Sequence, residues 1–427
     1  MRVDTIVLGA GHAGLAVSRL LSDAGHDHVV LDRGRVAERW RTERWDSLHL
    51  LTPNWMTRLP GWCYAGPDPD GYLSSTELIQ HLERYAASFQ APVIPHSTVV
   101  EIRAARGPAG ARFRVVTDAE TWHACHVVVA TGPHSRAHLP AGLSGISGAL
   151  EVVTANSYRN PADLPPGGVL VVGASASGVQ IADELSRSGR EVSLAVGRHT
   201  RMPRRYRGMD IFWWLAATGR LARTIDDMPD AAAARRENSL QLVGNSDPCL
   251  RGRDLDLGVL QASGVRLFGR VEEVVGTVAS FGPHLHETVA DADLRMHHFL
   301  DAVDRYVEAA GLTREVLPPM RPSPVELSDP ISRLDLAAEN IGTVLVAAGY
   351  RAYHPWLQLP VLDSDGSIRQ RGGVTSVPGL YVIGQPFQHR RDSGFIDGAR
   401  HDAGTVVDHL LGRETSAGPV TANRRAA

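Results

Sequence analysis

Cysteine is nearly missing from this chain. Three occur in 427 residues, Cys63, Cys125 and Cys249, and no two of them form a C-x-x-C or C-x-x-x-x-C pair. That excludes a disulfide framework and a cysteine zinc site, counts against thiol–disulfide exchange, and suits a reducing cytoplasm. Long apolar runs are missing too: none reaches the ~20 residues that cross a bilayer. A β-branched run already begins at Val3, which leaves no room for a cleavable leader. Charge of one sign is also lacking. Lys plus Arg number 44 against 47 Asp plus Glu, and a net charge of −3 offers no bulk attraction to nucleic acid or an anionic membrane. His297 and His298 sit in a helical pattern without acidic or cysteine partners at ligand spacing, so no metal is expected. The expectation is a soluble cytoplasmic protein of two or three domains.

Glycine, in contrast, is plentiful, and its placement organises the chain. Val3 to Leu8 is an apolar, β-branched run that predicts a buried parallel strand. Gly9, Gly11 and Gly14 follow in G-x-G-x-x-G order, then a helical pattern closed by Gly25, then a second apolar run from Val29 to Leu31 ending at Asp32. Each part has a task at a dinucleotide. The first glycine allows the tight turn, the second lets the backbone approach a pyrophosphate, and the third lets helix and strand pack closely. The helix N-terminus offers free N–H groups to phosphate, and the acid accepts from ribose hydroxyls. His12, Ala13 and Arg33 belong to the same loops.

After Asp32 comes a segment dense in Arg and Trp (Trp40, Trp45, Trp55, Trp62), read as irregular structure lining a pocket, with a core-packing loop as the alternative. Asn54, in the turn that follows Thr52 and Pro53, is a candidate polar contact in the pocket or a turn residue bonding its own backbone. Ser74 and Glu77 form a capping box for a helix over 76–89. Residues 93–129, broken by Gly107, Pro108 and Gly110, predict a returning strand that includes Val100 and a small antiparallel meander. The last run ends in Ala130-Thr131-Gly132.

A Pro/Gly-rich link at 161–168 precedes a recurrence of the opening pattern. Val169 to Val172 leads to Gly173-Ala174-Ser175 and on through Ser177 to Gly178, with Ser175 where a middle glycine usually stands, then a helix and a second strand ending near Val196. Where the first unit ends in an acid, this one ends in Arg198, followed by Arg201, Arg204, Arg205 and Arg207. An acid favours a free ribose 2′-hydroxyl and arginine a 2′-phosphate, so the first unit suits FAD and the second NADPH. IFWWLAATGRLA at 211–222 predicts an apolar helix with Trp213 and Trp214 in the core, and 290–310 a longer one. A second proline-rich link at 317–330 precedes runs ending in Gly349-Tyr350 and Gly384-Gln385.

The expected architecture is α/β, with two Rossmann-type domains. The FAD-binding domain (1–160 and 331–413) is interrupted by an inserted NADPH-binding domain (167–316), and 414–427 forms a disordered tail. With the two fingerprints, the Ala-Thr-Gly at 130–132 and the Ala-Ala-Gly-Tyr at 347–350, the chain resembles the two-dinucleotide-binding-domain flavoproteins. Among these it looks most like flavin-containing monooxygenases and their bacterial relatives. WRTERWDSLHLLTPNW, PRRYRG and LYVIGQ carry that likeness further. The resemblance implies FAD on the first unit, NADPH on the second, and a C4a-(hydro)peroxyflavin that oxygenates a small-molecule N, S or C centre. Molecular oxygen and a small-molecule substrate are then the partners, with a homodimer allowed for. The cofactor contacts it implies are Gly9, Gly11, Gly14, Asp32, Trp40, Thr131, Gly132, Gly173, Ser175, Gly178 and Arg198, joined by His12, Ala13, Arg33, Val100, Ala130, Ala174, Ser177, Arg204, Gly384 and Gln385. Two departures stand out. The family's F-x-G-x-x-x-H-x-x-x-Y pattern is matched by GALEVVTANSY, which keeps Tyr158 but has Leu150 for the glycine and Thr154 for the histidine, and Gly384-Gln385 replaces a Gly-Asp. No catalytic acid, base or nucleophile is singled out, which suits chemistry carried by a cofactor. An NADPH oxidase or dehydrogenase without oxygen insertion, and a non-catalytic cofactor sensor, remain as alternatives.

Overall fold

The computed structural model describes residues 1–105, 110–134, 136–244, 251–328 and 331–413. The turn expected at Gly107 and Pro108, Cys249 and the expected tail lie outside them. The opening run forms β1 (Arg2–Leu8) and passes through the glycine loop into α1 (His12–Asp23) and β2 (His28–Leu31). Because β1 is covered on both faces, Ile6, Val7 and Leu8 are all buried and the run shows no polar alternation. Helix α2 (Ser75–Ser88) starts where the capping box places it. Ser74 Oγ accepts from the Glu77 N–H, the Glu77 carboxylate accepts from the Ser74 N–H, and Leu78, Leu82 and Tyr85 face the core. The short β3 (Val93–Ile94) follows, and β4 (Val99–Ala104), β5 (Phe113–Thr117) and β6 (Thr121–Val129) form the expected meander.

Strands β7 (Glu151–Thr154) and β8 (Gly168–Val172), helix α3 (Ala176–Arg187) and strand β9 (Val192–Ala195) build the second unit. Next come α4 (Ile211–Ala217), β10 (Arg266–Phe268), β11 (Val271–Val275), β12 (Val278–Phe281) and the long α5 (Leu285–Ala309). The chain closes with β13 (Arg333–Asp335), β14 (Ile341–Val346), β15 (Leu380–Val382) and α6 (Ile396–Leu410).

The first sheet runs β3-β2-β1-β6-β5-β4, with β15 added in parallel to the far half of β6. The second runs β7-β14-β8-β9-β10 and is parallel throughout. A second meander, β11-β12-β13, accompanies it. Two strands depart from the expected division of the chain. β7 lies before the expected link, and β14 falls in the segment expected to return to the first unit, yet both join the second sheet. β14 pairs with β8 from Val169–Thr343 to Val172–Val346 and with β7 on its other edge. Local apolar pattern marks β14 as a strand and leaves β7 unmarked, and only tertiary pairing decides which sheet they enter. Off both sheets, α4 and α5 share an apolar cluster that includes Phe212, Leu215, Leu221, Met296, Phe299 and Leu300. Trp214 is buried there as expected, its indole N–H donating to the Tyr206 carbonyl at 2.7 Å.

Candidate functional site

The two glycine loops are near-copies in backbone geometry. Gly9 and Gly173 have φ of +106° and +111°, a left-handed conformation that favours glycine. A Cβ at Gly9 would sit 2.7 Å from the Ala130 carbonyl oxygen, and one at Gly173 2.6 Å from that of Ala347. A Cβ at Gly14 would lie 1.9 Å from the Gly9 oxygen, and one at Gly178 1.8 Å from the Gly173 oxygen. The strand ends β6 and β14 therefore play the same part in the two units, and Ala-Ala-Gly at 347–349 is the second unit's counterpart of Ala-Thr-Gly at 130–132. The middle position is different. Gly11 caps α1 at φ −81°, ψ −179° with open space where a Cβ would go, and Ser175 caps α3 at φ −83°, ψ −171°. Serine costs that backbone nothing.

Both loops open onto one cavity of about 2150 Å³, well beyond the roughly 300–1,000 Å³ of a pocket for a single small ligand. Gly9, Gly11, His12, Ala13, Asp32, Arg33, Trp40, Ala130, Thr131 and Gly132 line it from the first unit. From the second come Gly173, Ala174, Ser175, Ser177 and Arg198, and from the C-terminal part Gly384 and Gln385. Gly14 and Gly178 stand behind the lining, where they set the distance between helix and strand. His12 Nε2, Thr131 Oγ1 and Gln385 Nε2 are buried polar atoms with no protein partner, as expected of groups that meet a polar ligand. Burial holds the His12 imidazole near a pKa of about 4, so it is neutral at physiological pH. Asp32 accepts from the Ala10 and Gly34 N–H groups at 2.7 and 2.9 Å, which fixes its carboxylate and leaves lone pairs for hydroxyl donors. Free first-turn amides of α1 and α3, the open space at Gly11 and these unpartnered atoms fit two dinucleotides.

Four expectations need correcting or reassigning. Val100 does not line the cavity: it is 52% exposed on β4, while Ser97, Thr98 and Val99 reach the wall. Arg204 is fully buried behind the cavity wall, held by an ion pair to Asp210 and a bond to the Leu51 carbonyl, so a phosphate in the cavity does not reach it. Asn54 braces a loop, donating to the Asp68 carbonyl and accepting from Leu73 N–H, away from the cavity. Tyr158 is buried and donates to Glu184 at 2.7 Å, tying the segment after β7 to α3. Thr154, in the histidine's place, takes part in a local turn with Ser157.

The wall also includes residues beyond the expected cofactor contacts, among them Tyr350, His134, Arg44 and Arg39. Tyr350 pairs with Ser177 and meets the His134 ring edge-on at 4.6 Å between centroids. His134 is exposed and lines the cavity. Desolvation, followed by the charges of Arg44 and Arg39, holds its pKa to about 3. It stays neutral and can accept or donate a hydrogen bond but supplies no acid at pH 7. Arg44 covers Trp40 at 5.2 Å, and Glu43 pairs with Arg33 and Arg39.

Buried neutral histidines also set an acid limit on stability. His81, packed against Trp62, and His354 are each almost fully buried, and burial pushes both pKa values down to about 4. Unfolded, each titrates near ~6.5, so between pH 6.5 and 4 the unfolded chain binds protons that the fold refuses. Stability is therefore fully present above pH 6.5 and is lost as pH falls. Each histidine contributes about 2 kcal/mol of loss between pH 7 and 5. Urea unfolding at those two pH values should show His81→Leu with a smaller drop than the parent. An unchanged drop means His81 does not titrate as described.

Comparison with known proteins matches this geometry. Residues 6–210 match the family model described as pyridine nucleotide-disulphide oxidoreductase. An uncharacterized CzcO-like oxidoreductase of Geobacillus kaustophilus is 31% identical over 412 residues, 96% of this chain and 98% of that protein. A flavin-containing monooxygenase from Stenotrophomonas maltophilia has the same fold, with a TM-score of 0.65 at 19% identity over 96% of this chain and 98% of its own. A probable indole-3-pyruvate monooxygenase of Arabidopsis thaliana, YUCCA1, is 31% identical over 48% of this chain and 50% of its length. Among the described residues no helix is long and apolar enough to cross a membrane, and no cluster of His, Cys, Asp and Glu could hold a metal. With its paired glycine loops and its end-to-end likeness to the CzcO-like protein, this chain belongs to the flavin monooxygenase-like FAD/NAD(P) oxidoreductases, and its cofactors are FAD and NAD(P)H.

Proposed function

We propose that this oxidoreductase is an NADPH-dependent monooxygenase that transfers an oxygen atom to a nitrogen, sulfur or carbon centre of a small molecule. The observation that carries this is the shared cavity: both glycine loops line it, and so does an apolar wall that includes Phe212, Leu215, Leu221 and Phe395. Gly9 to Gly14 with the α1 amides would hold the FAD pyrophosphate and Asp32 the adenosine ribose. Gly173 to Gly178 with the α3 amides would hold NADPH. Arg198 is exposed, lines the cavity and has no ion-pair partner among the described residues, which leaves its guanidinium for a 2′-phosphate. Bound FAD supplies two-electron acceptance from NADPH and, once reduced, reaction with oxygen. The protein's part is position and dryness. Tyr350 and Ser177 brace the second loop against His134, and the apolar wall keeps water from the reacting centre. Cys63 and Cys125 lie off the cavity, which favours oxygen over a disulfide as electron acceptor.

Rapid anaerobic mixing of the yellow holoenzyme tests the reading. NADPH should reduce the flavin far faster than NADH at equal concentration, and Arg198→Ala should raise the KM for NADPH at least about 10-fold while leaving NADH unaffected, since a charge-assisted phosphate contact is worth ~1.5–3 kcal/mol. In air, NADPH consumed should exceed peroxide released once an accepted amine, sulfide or ketone is present. Peroxide equal to NADPH with every such substrate would make the enzyme an oxidase, and no reduction by either nucleotide would remove the second site.

A further inference from the structure

The apolar wall of the cavity carries a guanidinium that has no ion-pair partner among the described residues. Arg220 follows α4 in the turn at 218–222 and lines the cavity beside Leu215 and Leu221. Its guanidinium lies 5.1 Å from the centroid of the Phe299 ring, a contact that holds its position without neutralising it. Among the described residues it has no carboxylate or carbonyl partner. Its neighbours do. Arg391 is paired with Glu237 at 2.5 Å, and Arg390 with Asp392 at 2.9 Å. Burial, then the positive charge of Arg391, lowers the Arg220 pKa from its usual value; the Glu237 carboxylate acts the other way but is bonded to Arg391, so the charge is held here at a cost. An arginine desolvated over an aromatic ring and left unpaired is a receptor for an anion.

Its place in the fold says which anion. The two phosphate-binding loops are the strand-to-helix turns after β1 and β8. Arg220 belongs to neither sheet: it stands against the apolar cluster shared by α4 and α5, over Phe299. Backbone bonds hold its loop against the segment leading into α6, Asp392 N–H to the Leu221 carbonyl (3.2 Å) and Arg391 N–H to the Arg223 carbonyl (2.9 Å). Phe395, just before α6, meets Phe212 edge-on at 5.8 Å and completes an apolar recess.

We propose that Arg220 is a substrate-recognition residue that binds the carboxylate of an acidic substrate whose apolar body rests on Phe212, Leu215, Leu221 and Phe395. This deepens the monooxygenase reading and rests on it for the word substrate, but the binding site itself can be tested without turnover. Phenylacetate and its neutral isostere phenylacetamide are titrated into the oxidised holoenzyme, with the flavin absorption spectrum reporting binding. NADP⁺ is titrated in parallel. Phenylacetate should bind at least about 10-fold more tightly than phenylacetamide, as expected of a charged hydrogen bond worth ~1.5–3 kcal/mol. Arg220→Met should bring that ratio close to one with flavin content and NADP⁺ affinity unchanged, and Arg220→Lys should restore part of it. Equal affinity for acid and amide in the parent would overturn the proposal. So would a loss of NADP⁺ affinity in Arg220→Met, which would assign the arginine to the nucleotide's phosphates. If acid binding follows Arg220 while no oxygen transfer is found with any bound acid, the anion site stands and the monooxygenase reading fails.

Discussion

Gly178→Ala should purify yellow and yet be reduced by NADPH at least about 100-fold more slowly than the parent, whereas Gly14→Ala should purify largely colourless. The two substitutions add the same methyl group at equivalent points of the two loops. In each, the new Cβ would lie under 2 Å from a backbone carbonyl oxygen, 1.8 Å from Gly173 at the second loop and 1.9 Å from Gly9 at the first. No rotamer relieves a contact between a Cβ and the main chain, so the helix must move away from its strand by more than 1 Å. That swings the first-turn amides off the pyrophosphate they should meet, and a misplacement of about 1 Å costs on the order of 100-fold in rate. The consequences part because the loops have different tasks. Displacing α1 should release FAD and, with it, the stability that a tightly bound ligand contributes. Displacing α3 should leave FAD bound and remove productive hydride donation. Gly11→Ser provides the control: no atom lies within 4 Å of a Cβ there, and Ser175 already occupies the equivalent backbone conformation. It should fold as stably as the parent, so any flavin it loses reads the approach of the pyrophosphate to this backbone and not a displaced helix. Flavin content and anaerobic reduction rates read all three, and a Gly178→Ala enzyme reduced at the parent's rate would show that the second loop does not carry the nucleotide.

What the sequence revealed of this molecule was whatever is encoded locally. A left-handed turn demands glycine, so Gly9 and Gly173 announce themselves. A capping box spans four residues, so the start of α2 can be read at Ser74 and Glu77. Pairing between distant segments has no such local mark. The run from Thr343 into Gly349-Tyr350 reads correctly as a strand while Glu151–Thr154 carries no strand expectation, and nothing within either says that they flank each other in the second sheet. The same limit explains the mixed fate of the arginines. Arg198 and Arg204 are six residues apart in one basic stretch and look alike in sequence. One faces the cavity; the other is sealed against Asp210, because the loop after β9 folds back on α4. Arg220, His134 and Arg44 reach the wall from separate segments, and their convergence exists only in the folded chain. The cavity's floor was legible and its far wall was not.

Arg204 yields the other large effect, on stability and not on nucleotide choice. Its side chain is completely excluded from solvent. Nε and Nη2 donate to Asp210 Oδ2 at 3.0 and 2.5 Å, Nη1 donates to the Leu51 carbonyl at 2.8 Å, and the guanidinium lies 4.4 Å from the Tyr72 ring centroid. Asp210 is also bonded by the Tyr72 hydroxyl and caps α4 through the Phe212 N–H. Arg204 therefore joins the segment at 51 to the start of the helix that carries the apolar wall. Asp210→Ala leaves that guanidinium buried without its counter-charge, and breaking a buried pair from one side costs roughly 3–5 kcal/mol. Arg204→Met removes the charge and keeps much of the packing. It leaves Asp210 its two remaining donors, so it should cost less than Asp210→Ala. Both variants should retain the parent's ratio of NADPH to NADH reduction rates. If Arg204 instead read a 2′-phosphate, Arg204→Met would lower that ratio and leave urea unfolding unmoved. Measuring the unfolding midpoint and the cofactor ratio on the same preparations separates the two. The ordering expected, Asp210→Ala below Arg204→Met below the parent in stability with one common cofactor ratio, follows only if the arginine is an internal brace.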